Sequence, residues 1–131
     1  MNVLVDTHVW LWMLTEPVQL GQEASSIIGD ARNGLLLSAA SSWEIAIKYQ
    51  LGKLALPDSP DRYVPDRMRV SGVVGLPIEH AHALAVASLP QHHRDPFDRL
   101  LIAQASEEGL PILTVDDQLA MYEVELIDAR Q

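Results

Sequence analysis

The sequence contains no cysteine. That absence removes disulfide scaffolds, thiolate zinc sites and cysteine nucleophiles. It fits a reducing compartment, so a cytoplasmic location is expected. Basic residues are scarce: 9 Lys plus Arg stand against 18 Asp plus Glu, a formal charge of −9 with the five histidines neutral. So acidic a surface should not attract nucleic acid over its whole extent, because phosphate binding rests on cationic contacts. No apolar run approaches the roughly eighteen residues of a membrane span. The opening MNVLVDTHVWLWML lacks a basic leader and carries Asp6 and His8 inside the run, unlike a signal peptide. The seven glycines are scattered singly, with no phosphate-cradling loop. Ser41-Ser42 lacks the glycine-flanked elbow of a serine hydrolase.

What remains is a 131-residue chain that is 48% hydrophobic. That length fits one domain over 1–131, and folding should bury roughly two thirds of the unfolded surface. Short apolar runs at 2–5, 35–38, 73–76 and 112–115 read as buried strands, with a possible edge strand at 124–127. Helical patterns cover 7–14, 19–33, 41–51, 61–70, 79–88 and 95–108, with a short helix at 116–122. Strands alternating with helices predict an α/β fold, a parallel sheet of four to five strands covered on both faces.

In such a sheet the strand C-termini share one edge, where ligands bind. Asp6 follows the first strand, Asp116 follows 112–115, and Glu44 lies early in the helix after 35–38. Asp98, in the first turn of the 95–108 helix, reaches that edge only if the fold brings its helix there. Glu44 leads a stripe with Ile47 and Leu51, and Asp98 one with Leu101, Ile102 and Ala105. Carboxylates at the head of apolar stripes are costly unless compensated. Gathered together they would raise one another's pKa unless a cation lies among them, and an all-oxygen donor set suits Mg²⁺ or Mn²⁺.

Each acid also has a purely structural use. Asp6 serves as a helix N-cap, and Asp116 and Asp117 suit a cap and first turn. Glu44 and Lys48 make an i,i+4 pair. Asp95-Pro96 starts a helix, with Asp98 favouring its dipole. Singly, none of them decides; their joint placement on one edge does. The five histidines show no zinc spacing and read as surface or supporting residues.

The segments DTHVWLW (6–12), SSWEIAIK (41–48), GLPIEHAHAL (75–84), LPQHHRDPFDRLLIAQA (89–105) and LTVDDQL (113–119) occur in order. Together they resemble the PIN-domain ribonucleases, and most closely the VapC toxins of type II toxin–antitoxin pairs. The resemblance spans nearly the whole chain and implies a PIN-like three-layer α/β/α fold. It implies Asp6, Glu44, Asp98 and Asp116 as catalytic acids and metal ligands, with Thr114 the hydroxyl residue before the last of them. Asp95 belongs to the same stretch as a supporting residue. Leu119-Ala120 departs from the aromatic residue of many relatives, a matter of packing.

The activity the resemblance implies is Mg²⁺-dependent (or Mn²⁺-dependent) endoribonuclease cleavage by activated water, leaving a 5′-phosphate and a 3′-hydroxyl. It also implies RNA as substrate, a cognate antitoxin that places an arginine toward the carboxylates, a homodimer, and a larger toxin–antitoxin assembly. Arg99, adjoining Asp98, is the preferred phosphate contact; Lys48, Lys53, Arg62, Arg67, Arg69 and Arg94 are further candidates. The tryptophans Trp10, Trp12 and Trp43 adjoin the acids, and core packing is the expected role for most. Two other readings are an RNA-processing PIN nuclease outside any toxin–antitoxin pair and a receiver-like signalling module. The receiver normally needs paired acids after the first strand, where Thr7 follows Asp6. An aspartyl phosphatase would want an acid where His8 stands.

Overall fold

A computed structural model describes residues 1–91 and 95–131. Val3, Leu4 and Val5 are apolar in succession and fully buried, as a strand covered on both faces requires. They form β1 (Asn2–Val5) at the centre of a five-stranded parallel sheet. The others are β2 (Gly34–Ser38), β3 (Val74–Leu76), β4 (Ile112–Thr114) and β5 (Leu126–Asp128), in the order β3-β2-β1-β4-β5. Leu4 is in register with Leu36 on one side and Ile112 on the other.

Six α-helices are described: α1 (Thr7–Thr15), α2 (Gln22–Gly29), α3 (Ala39–Gln50), α4 (Pro60–Ser71), α5 (His80–Ala85) and α6 (Pro96–Glu108). The period-two alternation of β1 sorts the core. Val3 and Val5 join Val9, Trp10, Ile45 and Val64 from α1, α3 and α4, whereas Leu4 joins Leu101, Ile102 and Ala105 from α6. These two cores on opposite faces make the three layers. Helix α6 is the most strongly specified: Asp95 caps it, Pro96 opens it, and Gly109 ends it in the left-handed region at φ 64°.

The single helix expected over 19–33 is broken. A 3₁₀ turn at Pro17–Gln19 precedes an extended Leu20, and α2 begins only after Gly21. The C-terminal residues occupy the space beside that break: the Gly21 amide donates to the Ala129 carbonyl at 2.9 Å and Ala24 to that of Gln131 at 3.1 Å. A Cβ on Gly21 would lie 2.1 Å from the Gln131 main chain. The 79–88 helix likewise ends as a 3₁₀ turn at Val86–Ser88, and 116–122 is a 3₁₀ turn over Asp117–Met121. Strand β5 lies slightly later than expected. Among the described residues no helix is long and apolar enough to cross a membrane.

Candidate active site

The chain builds β2 and β3 on one side of β1, then returns to place β4 and β5 on the other. The sheet order therefore reverses between β1 and β4, where open parallel sheets form a crevice beyond their strand C-termini. Asp6 is the first residue past β1 and Thr114 the last of β4. The Asp6 amide continues the ladder, donating to the Leu113 carbonyl at 3.0 Å. The buried Thr114 hydroxyl donates to Asp6 Oδ2 at 2.6 Å and accepts from the Asp116 amide at 3.0 Å. One hydroxyl thus fixes the first acid and the backbone of the last.

Helix α3 brings the second acid. Its N-cap Ser38 accepts from the Ala40 amide at 2.9 Å and donates its hydroxyl to Gln104 Oε1 on α6. Gln104, fully buried, donates its Nε2 to the Pro77 carbonyl at 3.2 Å, so α3, α6 and the end of β3 share one polar tie. A second tie joins the first turns of α1 and α3: the Thr7 hydroxyl donates to that of Ser41 at 2.7 Å. Glu44, further along α3, accepts from Lys48 Nζ at 2.7 Å; its side chain is only 12% exposed. Asp98 sits in the first turn of α6, where the Asp95 carboxylate accepts from the Phe97 amide at 2.9 Å and the Asp98 amide at 3.4 Å. Asp6, Glu44, Asp95, Asp98 and Asp116 all line one crevice of about 480 Å³, which Lys48 and Lys53 line as well.

Burial lifts the Asp6 carboxyl above its ordinary pKa. The Thr114 hydrogen bond opposes that rise, while the neighbouring charges of Glu44 and Asp116 add to it. A cation relieves such a group. Several carboxylates, with no sulfur donor, are the ligand chemistry of Mg²⁺ or Mn²⁺, so the residues fit that ion by donor type. Among the described residues, no three acids or imidazoles stand as a ready-made ligand cluster. Glu44 is turned to Lys48 instead, and Asp6 to Thr114.

The structural uses read from sequence coexist with this pocket. Asp95 and Asp116 cap the turns that follow them, and Glu44 pairs with Lys48. Asp6 occupies the N-cap of α1 without a side-chain capping bond. Arg99 differs from its expected position. Its guanidinium donates to the carbonyls of Pro90 at 2.8 Å and Val86 at 3.0 Å, tying α6 to the 86–90 stretch, and it does not line the crevice. Arg62 is paired with Asp58, and Arg67 and Arg69 with Asp66. His92, His93 and Arg94 lie outside the described residues. His82 is no surface residue: it is buried, accepts from the Glu79 amide and faces Glu108 at 2.7 Å, closing a capping box on α5. Trp10 is buried as expected, but Trp43 is 53% exposed, its ring edge-on to Phe97 beside Asp98. The hydroxyl pair Thr7–Ser41 and the Ser38–Gln104 tie escaped sequence reasoning. Each joins positions far apart in the chain, and only the polarity of Gln104 within an apolar helix stripe signals either.

A parallel α/β domain with an acidic crevice at its switch point is a recognisable class. A family model for the PIN domain matches residues 3–125, and the chain belongs to that family. Within it, Ribonuclease VapC22 of Mycobacterium tuberculosis (strain ATCC 25618 / H37Rv) is 34% identical over 124 residues, covering 92% of each chain. Ribonuclease VapC16 of the same strain is 57% identical over 60 residues, which is 46% of this chain and 43% of that protein. The chain thus matches less than half the length of VapC16 and nearly all of VapC22. Among solved structures, VapBC2 from Rickettsia felis, bound to a DNA fragment from its promoter, shares the fold with a TM-score of 0.71. It is 12% identical, over 97% of this chain and 98% of that one. Family membership sets the receiver-like alternative aside.

Proposed function

We propose that this protein is a divalent-cation-dependent endoribonuclease, the toxin of a toxin–antitoxin pair. The observation that carries the reading is the Asp6–Thr114–Asp116 bridge across the switch point, with Glu44 and Asp98 lining the same crevice. The names of the VapC relatives support RNA as substrate, and the solved VapBC assemblies support an antitoxin partner. Asp6, Glu44, Asp98 and Asp116 would hold Mg²⁺ or Mn²⁺. Such an ion, when bound, lowers the pKa of water and offsets charge on a phosphodiester.

The chain's own residues have definable tasks. Thr114 holds Asp6 Oδ2 in place and favours its ionised form. Asp95 orders the first turn that carries Asp98. Lys48 and Lys53 offer positive charge beside the five acids that line the crevice. Exposed apolar groups such as Trp43, Leu51 and Val74 offer area for the antitoxin or a second copy. With its PIN family membership, the cytoplasm is the proposed location.

The test is RNA cleavage with Mg²⁺ by the wild type and by Asp6→Asn and Asp98→Asn. Loss in both variants, and in EDTA, is expected; wild-type rates in either variant would refute the site. A toxin role predicts that the product of a short neighbouring gene copurifies and suppresses cleavage. An RNA-processing nuclease outside such a pair would show no inhibitor of that kind. Light scattering of the purified chain tests the homodimer.

A further inference from the structure

Lys48 is placed where an ordinary solvated helix pair would not be. Its Nζ lies 2.7 Å from Glu44 Oε2, and Lys48 itself lines the acidic crevice. The pair is asymmetric: the Glu44 side chain is 12% exposed and that of Lys48 51%. A largely desolvated carboxylate therefore has its charge met by a lysine whose side chain is half in solvent. The Lys48 pKa is raised first by the Glu44 bond, and the charges of Asp95 and Asp98 add to the rise, so the ammonium sits in the field of three crevice acids. Glu44 in turn presses on Asp6. In this state Glu44 faces a monovalent cation on its own helix.

Resting on the metal-dependent reading above, we propose that Lys48 is a resident counter-cation of the crevice. It holds Glu44 until a divalent ion displaces it, and the released ammonium then engages an RNA phosphate. A divalent charge among several carboxylates outcompetes one ammonium. The displaced Lys48 has the reach to turn outward, because its four-carbon stem is already half in solvent. Lys53, whose amide donates to the Lys48 carbonyl at 2.9 Å through the turn at Gly52, is a second cation lining the crevice. The pair would thus bind substrate only where a metal is already bound, which ties RNA affinity to metal loading.

The experiment uses the full chain without RNA first. Mn²⁺ binding is measured by electron paramagnetic resonance for wild type, Lys48→Met, Lys48→Arg and Lys53→Met. Lys48→Met should bind Mn²⁺ about 1.4-fold to 2.3-fold more tightly, the factor expected for loss of an i,i+4 ion pair. Lys48→Arg should stay close to wild type, and Lys53→Met should change less than Lys48→Met. In the wild type, Mg²⁺ should shift the ¹⁵Nζ resonance of Lys48. With RNA and Mg²⁺, Lys48→Met should raise KM and flatten its salt dependence by roughly 0.7 in log–log slope, one phosphate contact to a single strand. Unchanged or weaker Mn²⁺ binding in Lys48→Met, an unmoved Nζ signal, an equal gain from Lys53→Met, or an unchanged KM overturns the proposal. If the wild type binds no Mn²⁺, or Asp6→Asn and Asp98→Asn bind it equally well, the metal-dependent reading itself fails.

Discussion

Replacing Thr114 by Val keeps the side-chain shape and removes one hydroxyl. That hydroxyl makes two buried or part-buried hydrogen bonds, a donation to Asp6 Oδ2 at 2.6 Å and an acceptance from the Asp116 amide at 3.0 Å. A hydrogen bond to an ionised group contributes about 1.5–3 kcal/mol and a neutral one about 0.5–1.5 kcal/mol. The two bonds together should therefore cost about 2–4.5 kcal/mol when Asp6 is ionised and about 1–3 kcal/mol when it is protonated. With an unfolding entropy of about 2.1 cal/mol/K per residue, the larger figure lowers Tm by roughly 7–16 °C. The pH dependence carries the sharper test. Asp6 has a raised pKa in the fold, so its protonated form is favoured there. Its contribution to stability is complete at acid pH and is lost as pH rises from the unfolded value through the folded one. Without the Thr114 hydroxyl the folded pKa climbs further, so the penalty of Thr114→Val must grow as pH rises. Urea unfolding in EDTA, at acid and neutral pH, measures it. A penalty equal at both, or greater in acid, refutes the link between Thr114 and the Asp6 charge; Thr114→Ser should restore most of the loss.

Asp6→Asn should lower RNA cleavage by about 10²–10³-fold, the scale of losing one electrostatic stabiliser. It should nonetheless raise Tm in EDTA at neutral pH, because it removes a buried charge; a lower Tm would contradict the direction of the Asp6 shift. Ile102→Ala, at a fully buried site on α6, should cost about 2–5 kcal/mol in chemical denaturation; a loss below about 1 kcal/mol would mean that α6 does not pack as described. Gly21→Ala drives a Cβ into the Gln131 main chain. It should destabilise by about 1–3 kcal/mol and speed hydrogen exchange at the Ala24 amide, which donates to Gln131; wild-type protection there would show that the C-terminal segment does not need the space.

The parts of this fold visible in the sequence are those governed by local rules. Continuous burial of Val3–Val5 marks a central parallel strand, and Asp95, Pro96 and Gly109 delimit α6 almost to the residue. Where a distant segment intervenes, local pattern misleads. The residues after Pro17 read as one helix, because Leu20, Ala24, Ile27 and Ile28 keep helical spacing. Nothing in that window reveals that the C-terminus will lie against Gly21. The site divides in the same way. Asp6 and Asp116 are placed by the edge rule alone, since each follows a strand. Asp98 needs α6 to run back from that edge, a fact of topology. Arg99 shows the limit of reasoning by adjacency: neighbours on a helix point apart by about 100°, so standing next to Asp98 in sequence sends its guanidinium to the Val86 and Pro90 carbonyls.

The charge of −9 takes on a different meaning once the partners are known. Arg32, Arg62, Arg67 and Arg69 are matched by aspartates within four residues in the chain, so they create no lasting positive field at a distance. Arg99 is committed to main-chain carbonyls. The cations that line the crevice are Lys48 and Lys53, among the described residues, and Lys48 is engaged by Glu44. A polyanion approaching this crevice without a metal meets five acids offset, among the described lining residues, by Lys48 and Lys53. Under the proposed reading, a divalent ion reverses that locally, by neutralising the carboxylates and by freeing Lys48. The acidity then acts as a selectivity device: it repels RNA from the surface at large and from the unloaded site, and admits it where the metal has bound. Under the same reading, the excess of negative charge would suit a basic segment of an antitoxin, which carries the charge RNA lacks.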